Sequence, residues 1–422
     1  MYFTEKERQI LKNDKYDIIV VGSGPSGIGA ALSAGRLGSK VLLIESCGDV
    51  GGISTTGMMS HWTGRCGSKI YWEILERAAE KNLFKRARLQ EIDPELLKNT
   101  YYEMLKEANV DILLYTFFCA SIVENNKVKG VIVENKTGRT AYMAKVVIDC
   151  TGDGDVAYRS GAEFYMGREE DGKMQPATLM FKVGGVDETR AVYPGAFEDR
   201  IPTPKGELQE LGKKYLEFPT GHCLMMKSII PGIATINMTN VLDIDGTKAE
   251  DLTKAEITCR EQIGKIIDFL REYAPGYENC YLISAASLIG IRETRHFKGL
   301  KQITEEDIVQ AVQFDDAVVF DAYFNFDIHN IVGSGLDEHG VQFKFTQKNG
   351  YTIPYGCMVP EKIDGLLLSG RNISGTHKAH SNFRAMPICV GIGEADGIAA
   401  FLSIKHNIEL RNVDPKEIQK YL

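Results

Sequence analysis

Apolar and polar positions follow two rhythms along this chain, and each change of rhythm marks an element. The run Ile18-Ile19-Val20-Val21 is continuously apolar and β-branched, the pattern of a strand covered on both faces, and Lys40-Val41-Leu42-Leu43-Ile44-Glu45 repeats it. Between them, Ile28 to Leu37 reads as a helix of small residues closed by a turn at Gly38. Ile70 to Asn109 has helical spacing, with Trp72, Ile74, Leu75 and Ala78 on one face for core packing. From Asp111 to Asp149 the spacing turns to that of strands. Ile112 to Ala120, Val128 to Glu134 and Ala141 to Asp149 predict a β-meander, with a turn at Lys136-Thr137-Gly138-Arg139. Strand-like runs at Thr178 to Val183 and Ile229 to Met238 precede a helix at Lys254 to Tyr273. Gly365 to Leu368 predicts one more buried strand, then a polar loop from Ile373 to Arg384, then a helix from Ile388 to Ile404 begun at Pro387. Thr304-Glu305-Glu306-Asp307 reads as a capped helix start, which makes its acids helix-start charges rather than catalytic groups.

The first two strands carry the chemistry. Gly22-Ser23-Gly24-Pro25-Ser26-Gly27 follows the first directly. Gly22 and Gly24 let the turn tighten and the backbone approach a pyrophosphate, and Gly27 lets the next helix pack close to the sheet with its N-terminus facing the anion. The second strand ends in Glu45, then Ser46, about 20 residues after the glycines, where an acid meets the hydroxyl pair of a ribose and disfavours a 2′-phosphate. Gly51-Gly52 lets backbone pass tightly along a bound dinucleotide, and the next loop, Ile53 to Trp62 with His61, either lines the cofactor or is a surface loop. Cys150-Thr151-Gly152-Asp153-Gly154 ends the meander in a Gly/Asp turn, and Ser369-Gly370-Arg371 ends the late strand in another. Gly391-x-Gly393-x-x-x-Gly397 follows no strand, so it is read as close helix packing rather than a second nucleotide fingerprint.

The length of 422 residues allows two or three domains with ample core. A formal charge of −8 without a sustained basic run argues against nucleic acid or an anionic membrane surface as the main partner. The N-terminus Met1 to Arg8 lacks the apolar core of a signal peptide, and no run approaches the ~20 apolar residues of a membrane span, so the expected compartment is cytoplasmic. The nine cysteines are scattered without zinc- or cluster-like spacing, which predicts reduced thiols and no metal centre.

The order of these motifs resembles the FAD-dependent oxidoreductases related to glutathione reductase and fumarate reductase flavoproteins. Leu288 to Arg295, Asp327-Ile328-His329-Asn330, and Tyr351 to Pro360 with its sequel through Arg384-Ala385-Met386-Pro387 narrow the likeness to the broad "FAD dependent oxidoreductase" family. The resemblance implies an α/β fold: a Rossmann-like FAD-binding domain of parallel sheet plus meander, split into residues 1–162 and 346–422, around an inserted α+β substrate domain at 163–345. It implies FAD as cofactor, a small-molecule substrate, and an electron acceptor or donor that the motifs do not identify; oligomeric state stays open. The cofactor contacts expected are Gly22, Gly24, Pro25, Ser26, Gly27, Glu45, Ser46, Gly51, Gly52, Ile53, Thr151, Gly152, Asp153, Gly370, Arg371 and Pro387. Where relatives often have Thr-His-Glu-Ala, this chain has Thr376-His377-Lys378-Ala379, so an acid role for that Glu is not available.

Catalysis is sought in polar residues that the chain path brings to the flavin. His377, His380 and Arg384 lie between Gly370-Arg371 and the Pro387 helix start, so they are expected to move a proton or anchor an anion. His329 is either the next proton carrier or a core histidine satisfied by Asp327. Arg292 and Arg295 either recognise a substrate carboxylate or belong to an internal ion-pair network, and His61 is the remaining substrate contact expected. Hydride then moves between a small organic molecule, such as a sugar-like or other carbinol, and flavin N5. The alternative is the reverse reaction, reduction of an activated double bond, and the motifs do not encode the direction.

Overall fold

The computed structural model describes residues 7–84, 88–196, 199–335 and 347–422. Residues 1–6 and the domain boundary expected at 345–346 lie outside them. The two apolar runs become β1 (Ile18–Val21) and β2 (Val41–Ile44), joined by α1 (Pro25–Arg36). They pair in parallel with β3 (Asp111–Leu113), β4 (Val146–Asp149) and β5 (Leu366–Leu368), giving a five-stranded parallel sheet in the order β5-β4-β1-β2-β3. Every residue of β1, β2, β4 and β5 is buried, which is why these strands read as unbroken apolar runs.

Two expected meander strands divide. The Ile112 to Ala120 run breaks at Tyr115, whose φ is +52°. There the Tyr115 and Thr116 N–H groups donate to the Cys47 and Glu45 carbonyls, so Asp111–Leu113 joins the parallel sheet while Phe117–Glu124 starts the meander. The Ala141 to Asp149 run is interrupted at Ala144-Lys145, its first part pairing with Lys127–Asn135 and its second becoming β4. The Ile70 to Asn109 segment forms two helices, Lys69–Glu80 and Pro94–Glu107, the second capped by Asp93. Ile70, Tyr71, Ile74, Leu75 and Ala78 face inward on the first; Trp72, expected on that face, is 37% exposed.

A late helix, α2 (Met386–His406), lies along α1. Its glycines make that approach: a Cβ on Gly393 would sit 1.9 Å from the Ser26 carbonyl oxygen, and one on Gly397 2.0 Å from Ser33 Oγ. This helix is long and apolar enough to cross a membrane, yet 89% of its apolar window is buried inside the fold. The segment read as a polar loop, Ile373 to Arg384, contains the helix His377–Phe383, whose N-terminus is capped by the Thr376 side chain accepting from the Ala379 N–H. Ser, Thr, Asn and His density disguised it, because its buried face is polar.

A second core draws on residues 177–286. An antiparallel sheet of Met225–Lys227, Ala234–Ile236, Phe181–Gly184 and Tyr281–Ala285 packs there with the helix Ala249–Tyr273. Phe297, Ile303, Ile308, Val319 and Phe326 return to the first core, so the segment 163–345 feeds both cores. A cleft opens where they meet.

Candidate active site

The cleft has a volume of about 500 Å³ and begins at the β1–α1 turn. Gly22 has φ +95°, and a Cβ on it would meet the Cys150 carbonyl oxygen at 2.3 Å; a Cβ on Gly27 would meet the Gly22 carbonyl at 1.9 Å. Both positions are closed to side chains by the fold itself. Gly24 differs: nothing lies within 4 Å of the Cβ it lacks, so its bare face opens on the cleft at the N-cap of α1, where free backbone N–H groups favour an anion. Gly52 closes in from the far loop, its missing Cβ 3.1 Å from the Gly24 Cα.

Glu45 at the end of β2 ties this turn together. Its Oε2 accepts from the Ser23 N–H and hydroxyl, and its Oε1 from the Cys47 N–H at 2.8 Å. On the other side, Asp149 at the end of β4 accepts from the Thr151 N–H and hydroxyl and from the Ala157 N–H, which shapes the Thr151-Gly152-Asp153 turn. Burial pushes its carboxyl up to about 6. Arg371 donates to Asp153 Oδ1 at 3.1 Å, linking this turn to the end of β5. Gly22, Gly24, Pro25, Ser26, Glu45, Ser46, Gly52, Ile53, Thr151, Gly152, Asp153, Gly370 and Arg371 all line the one cleft. Gly27 lies in the helix–sheet contact behind it, and Gly51 supports it by donating to the Ser23 carbonyl. At the α2 start, Met386 lines the wall in place of Pro387.

Beyond the turns the wall changes character. Asp327, His329, Arg384 and Arg292 line the same cleft with Thr178, Met180, Asn237 and Phe324. Arg384 donates through one nitrogen to the Asp327 carbonyl at 2.7 Å and carboxylate at 2.9 Å, and His329 Nε2 sits 3.3 Å from the same Asp327 oxygen. Burial opposes ionisation of Asp327, but His329, Arg384 and Arg292 outweigh it and hold the carboxyl far below its usual range. Burial, then Arg292, pushes His329 down to about 4, so its ring is neutral at ordinary pH. Arg292 donates to the Pro176 carbonyl at 2.6 Å and the Thr178 hydroxyl at 2.8 Å.

His377 and His380 sit elsewhere, which corrects the expected arrangement. Their helix turns them toward buried Glu293, whose Oε1 receives His377 Nδ1 at 2.5 Å and His296 Nε2 at 2.8 Å; His380 packs edge-on against the His296 ring. Neither lines the cleft. Burial pushes His380 well below the usual imidazole range, and the two imidazoles hold Glu293 strongly ionised against the opposing effect of burial. Arg295 belongs to the ion-pair alternative: it bonds the Asp155 carboxylate and the Asp153 carbonyl, each at 2.9 Å, and stacks over Tyr158. His61 likewise lies off the cleft, 3.7 Å from Glu91. Sequence reasoning missed Gln175, Thr178, Met180 and Asn237. Gln175 receives the His329 N–H and donates its own N–H to Glu293, joining the two clusters, yet a lone Gln beside Pro176 carries no local signal for this.

Among similar proteins, the thiamine thiazole synthase of Aeropyrum pernix is 29% identical over 198 residues, 44% of this chain and 72% of that protein. The glutathione reductase of Schizosaccharomyces pombe is 28% identical over 174 residues, 37% of this chain and 35% of the reductase. A crystal structure of p-nitrophenol 4-monooxygenase from Pseudomonas putida shares the fold with TM-score 0.52 at 12% identity, covering 97% of this chain and 84% of that one. The family model described as FAD dependent oxidoreductase matches residues 17–422, which takes in every segment that lines the cleft, and the chain therefore belongs to that family of enzymes, with FAD as its cofactor.

Proposed function

We propose that this enzyme oxidises a small polar molecule at a carbinol carbon, with the adenosine end of FAD at Glu45, its diphosphate at Gly24 and its ring toward Arg371, Arg384 and Met386. The bare face of Gly24 at a helix N-cap and the acid closing β2 support that orientation. Bound FAD supplies a hydride acceptor at N5.

The observation that carries the reading is the Asp327-His329 pair on the cleft wall. A neutral imidazole offers one donor and one acceptor nitrogen. With Nε2 donating to Asp327, the acceptor nitrogen of His329 is Nδ1, and Arg384 fixes the carboxylate that orients the ring. As the carbinol C–H bond gives up its hydride, the hydroxyl proton passes to His329, leaving a carbonyl product; Asp327 stabilises the imidazolium that forms. The proton then leaves to solvent, and the two electrons would pass on to an external electron acceptor. The nearby apolar wall of Met180, Ile289, Ile291 and Phe324 excludes water from the step.

Anaerobic mixing of the yellow holoprotein with a panel of sugars, hydroxy acids and simple alcohols tests this directly. Bleaching by at least one carbinol, with the corresponding carbonyl compound as product, is the expected result. Reoxidation of prereduced enzyme by unsaturated acids, with no bleaching by any carbinol, would overturn it in favour of the reductive direction.

A further inference from the structure

Two guanidinium groups face the substrate part of the cleft, and one carboxylate answers them. Arg384 pairs with Asp327. Arg292 forms no ion pair among the described residues: its recorded bonds go to a carbonyl and a hydroxyl, both neutral. A buried guanidinium without an ion pair of its own is an expensive arrangement, because Asp327, already paired with Arg384, repays its lost hydration only in part. Burial and the neighbouring Arg384 push Arg292 down to about 9. The same wall leaves other hydrogen-bonding groups unused. Arg384 Nε and the Asn237 side-chain oxygen are buried without a hydrogen-bond partner among the described residues, and both residues line the cleft. An amide carries both donor and acceptor atoms, so Asn237 can turn either to a ligand in the cleft.

We propose that Arg292 and Arg384 form an anion clamp, and that the molecule bound in front of His329 carries a carboxylate. This rests on the cleft being the substrate site. The clamp adds the missing negative charge to a cluster of two cations and one anion, and the unused Arg384 Nε gives that charge a directed hydrogen bond. It also separates the roles of two arginines only three positions apart: Arg295 closes its own ion pair with Asp155, whereas Arg292 waits for a partner from outside the chain. The substrate class is thus a hydroxy acid or acidic sugar rather than a neutral alcohol.

The test uses FAD-loaded protein titrated with malonate, and with neutral malonamide at matched ionic strength, followed by flavin difference absorbance and by calorimetry. Malonate should bind saturably and malonamide should not. Arg292→Gln and Arg384→Gln should each weaken malonate by roughly 10- to 100-fold, the range for losing one charge-assisted partner, while FAD content is retained. Should either variant fold poorly, Asn237→Asp supplies a second probe, since a new negative charge on the wall should abolish malonate binding without removing an arginine. Equal binding of malonamide, or malonate affinity unchanged in all three variants, would overturn the clamp. Arg384→Gln changing the flavin potential but not malonate affinity would assign Arg384 to the cofactor and also overturn it. Protein that takes up no FAD would refute the flavin reading instead, and calorimetry with malonate on the same protein would still decide the clamp.

Discussion

Ser23 donates twice to one oxygen of Glu45, its backbone N–H at 2.9 Å and its hydroxyl at 2.6 Å. The acid at the end of β2 thereby shapes the turn proposed to hold the diphosphate. Glu45→Ala should weaken FAD binding by about 1–3 kcal/mol, through lost hydrogen bonds to the ribose and a loosened Ser23 turn. Ser23→Ala, which removes the hydroxyl but keeps the N–H bond, should cost less. Titration of the apoproteins with FAD measures both, and equal affinities across the three proteins would remove Glu45 from the site.

Gly24 and Gly27 look alike in sequence and should fail differently. Gly24→Val puts methyl groups into open cleft, so the apoprotein should fold with a near-unchanged melting temperature yet bind no FAD. Gly27→Ala drives a Cβ into the Gly22 carbonyl and should destabilise the protein itself. Thermal unfolding and flavin content, measured side by side, separate these outcomes.

His329→Ala should keep its FAD while substrate reduction of the flavin slows roughly 10²-fold or more, the range for losing a general base. The proposed base would work unprotonated, and burial with Arg292 lowers the His329 pKa to about 4. The rate should therefore hold from neutral pH down toward pH 4 and fall below it, rather than near the ordinary histidine value of about 6.5. A pH profile of kcat/KM breaking near 6.5 would point to a different base.

Asp396, in the middle of α2, is fully buried with neither carboxyl oxygen hydrogen-bonded among the described residues, and burial raises its pKa well above the ordinary value of 3.8. The folded state keeps a proton that the unfolded chain releases above that value, so stability from this group is full at low pH and is lost as pH rises through the range between the two pKa values. Asp396→Asn cannot ionise. Its melting temperature relative to wild type should therefore rise as pH increases from about 4 toward neutrality and beyond.

Much of the candidate nucleotide site was legible, in that the residues singled out line one cleft, because its determinants are local. A strand, three glycines, a helix and an acid fall within thirty positions, and each residue's job is fixed by its immediate neighbours. The catalytic face was not legible in that way. Arg292 and Arg295 sit in one short string, yet one enters the cleft and the other an ion pair, a choice made by packing against Thr178 and Asp155. His377 and His380 were tied to the flavin by chain path alone, and their helix rotates them toward Glu293, a partner 84 positions away from His377. Conversely, Trp72 was misplaced by a one-residue phase error: Ser68 caps the helix so that Tyr71 takes the inward position.

The interlocked glycines of α1 and α2 bear on how the fold closes. The turn at Gly22 to Gly27 meets segments distant in sequence: Gly370 closes against Ser26, and Gly393 against the Ser26 carbonyl. Closure of the cradle is thus a contact between segments far apart in the sequence, of the kind whose loop entropy slows folding. A chain cut before Met386 would leave exposed the face of α1 that α2 covers.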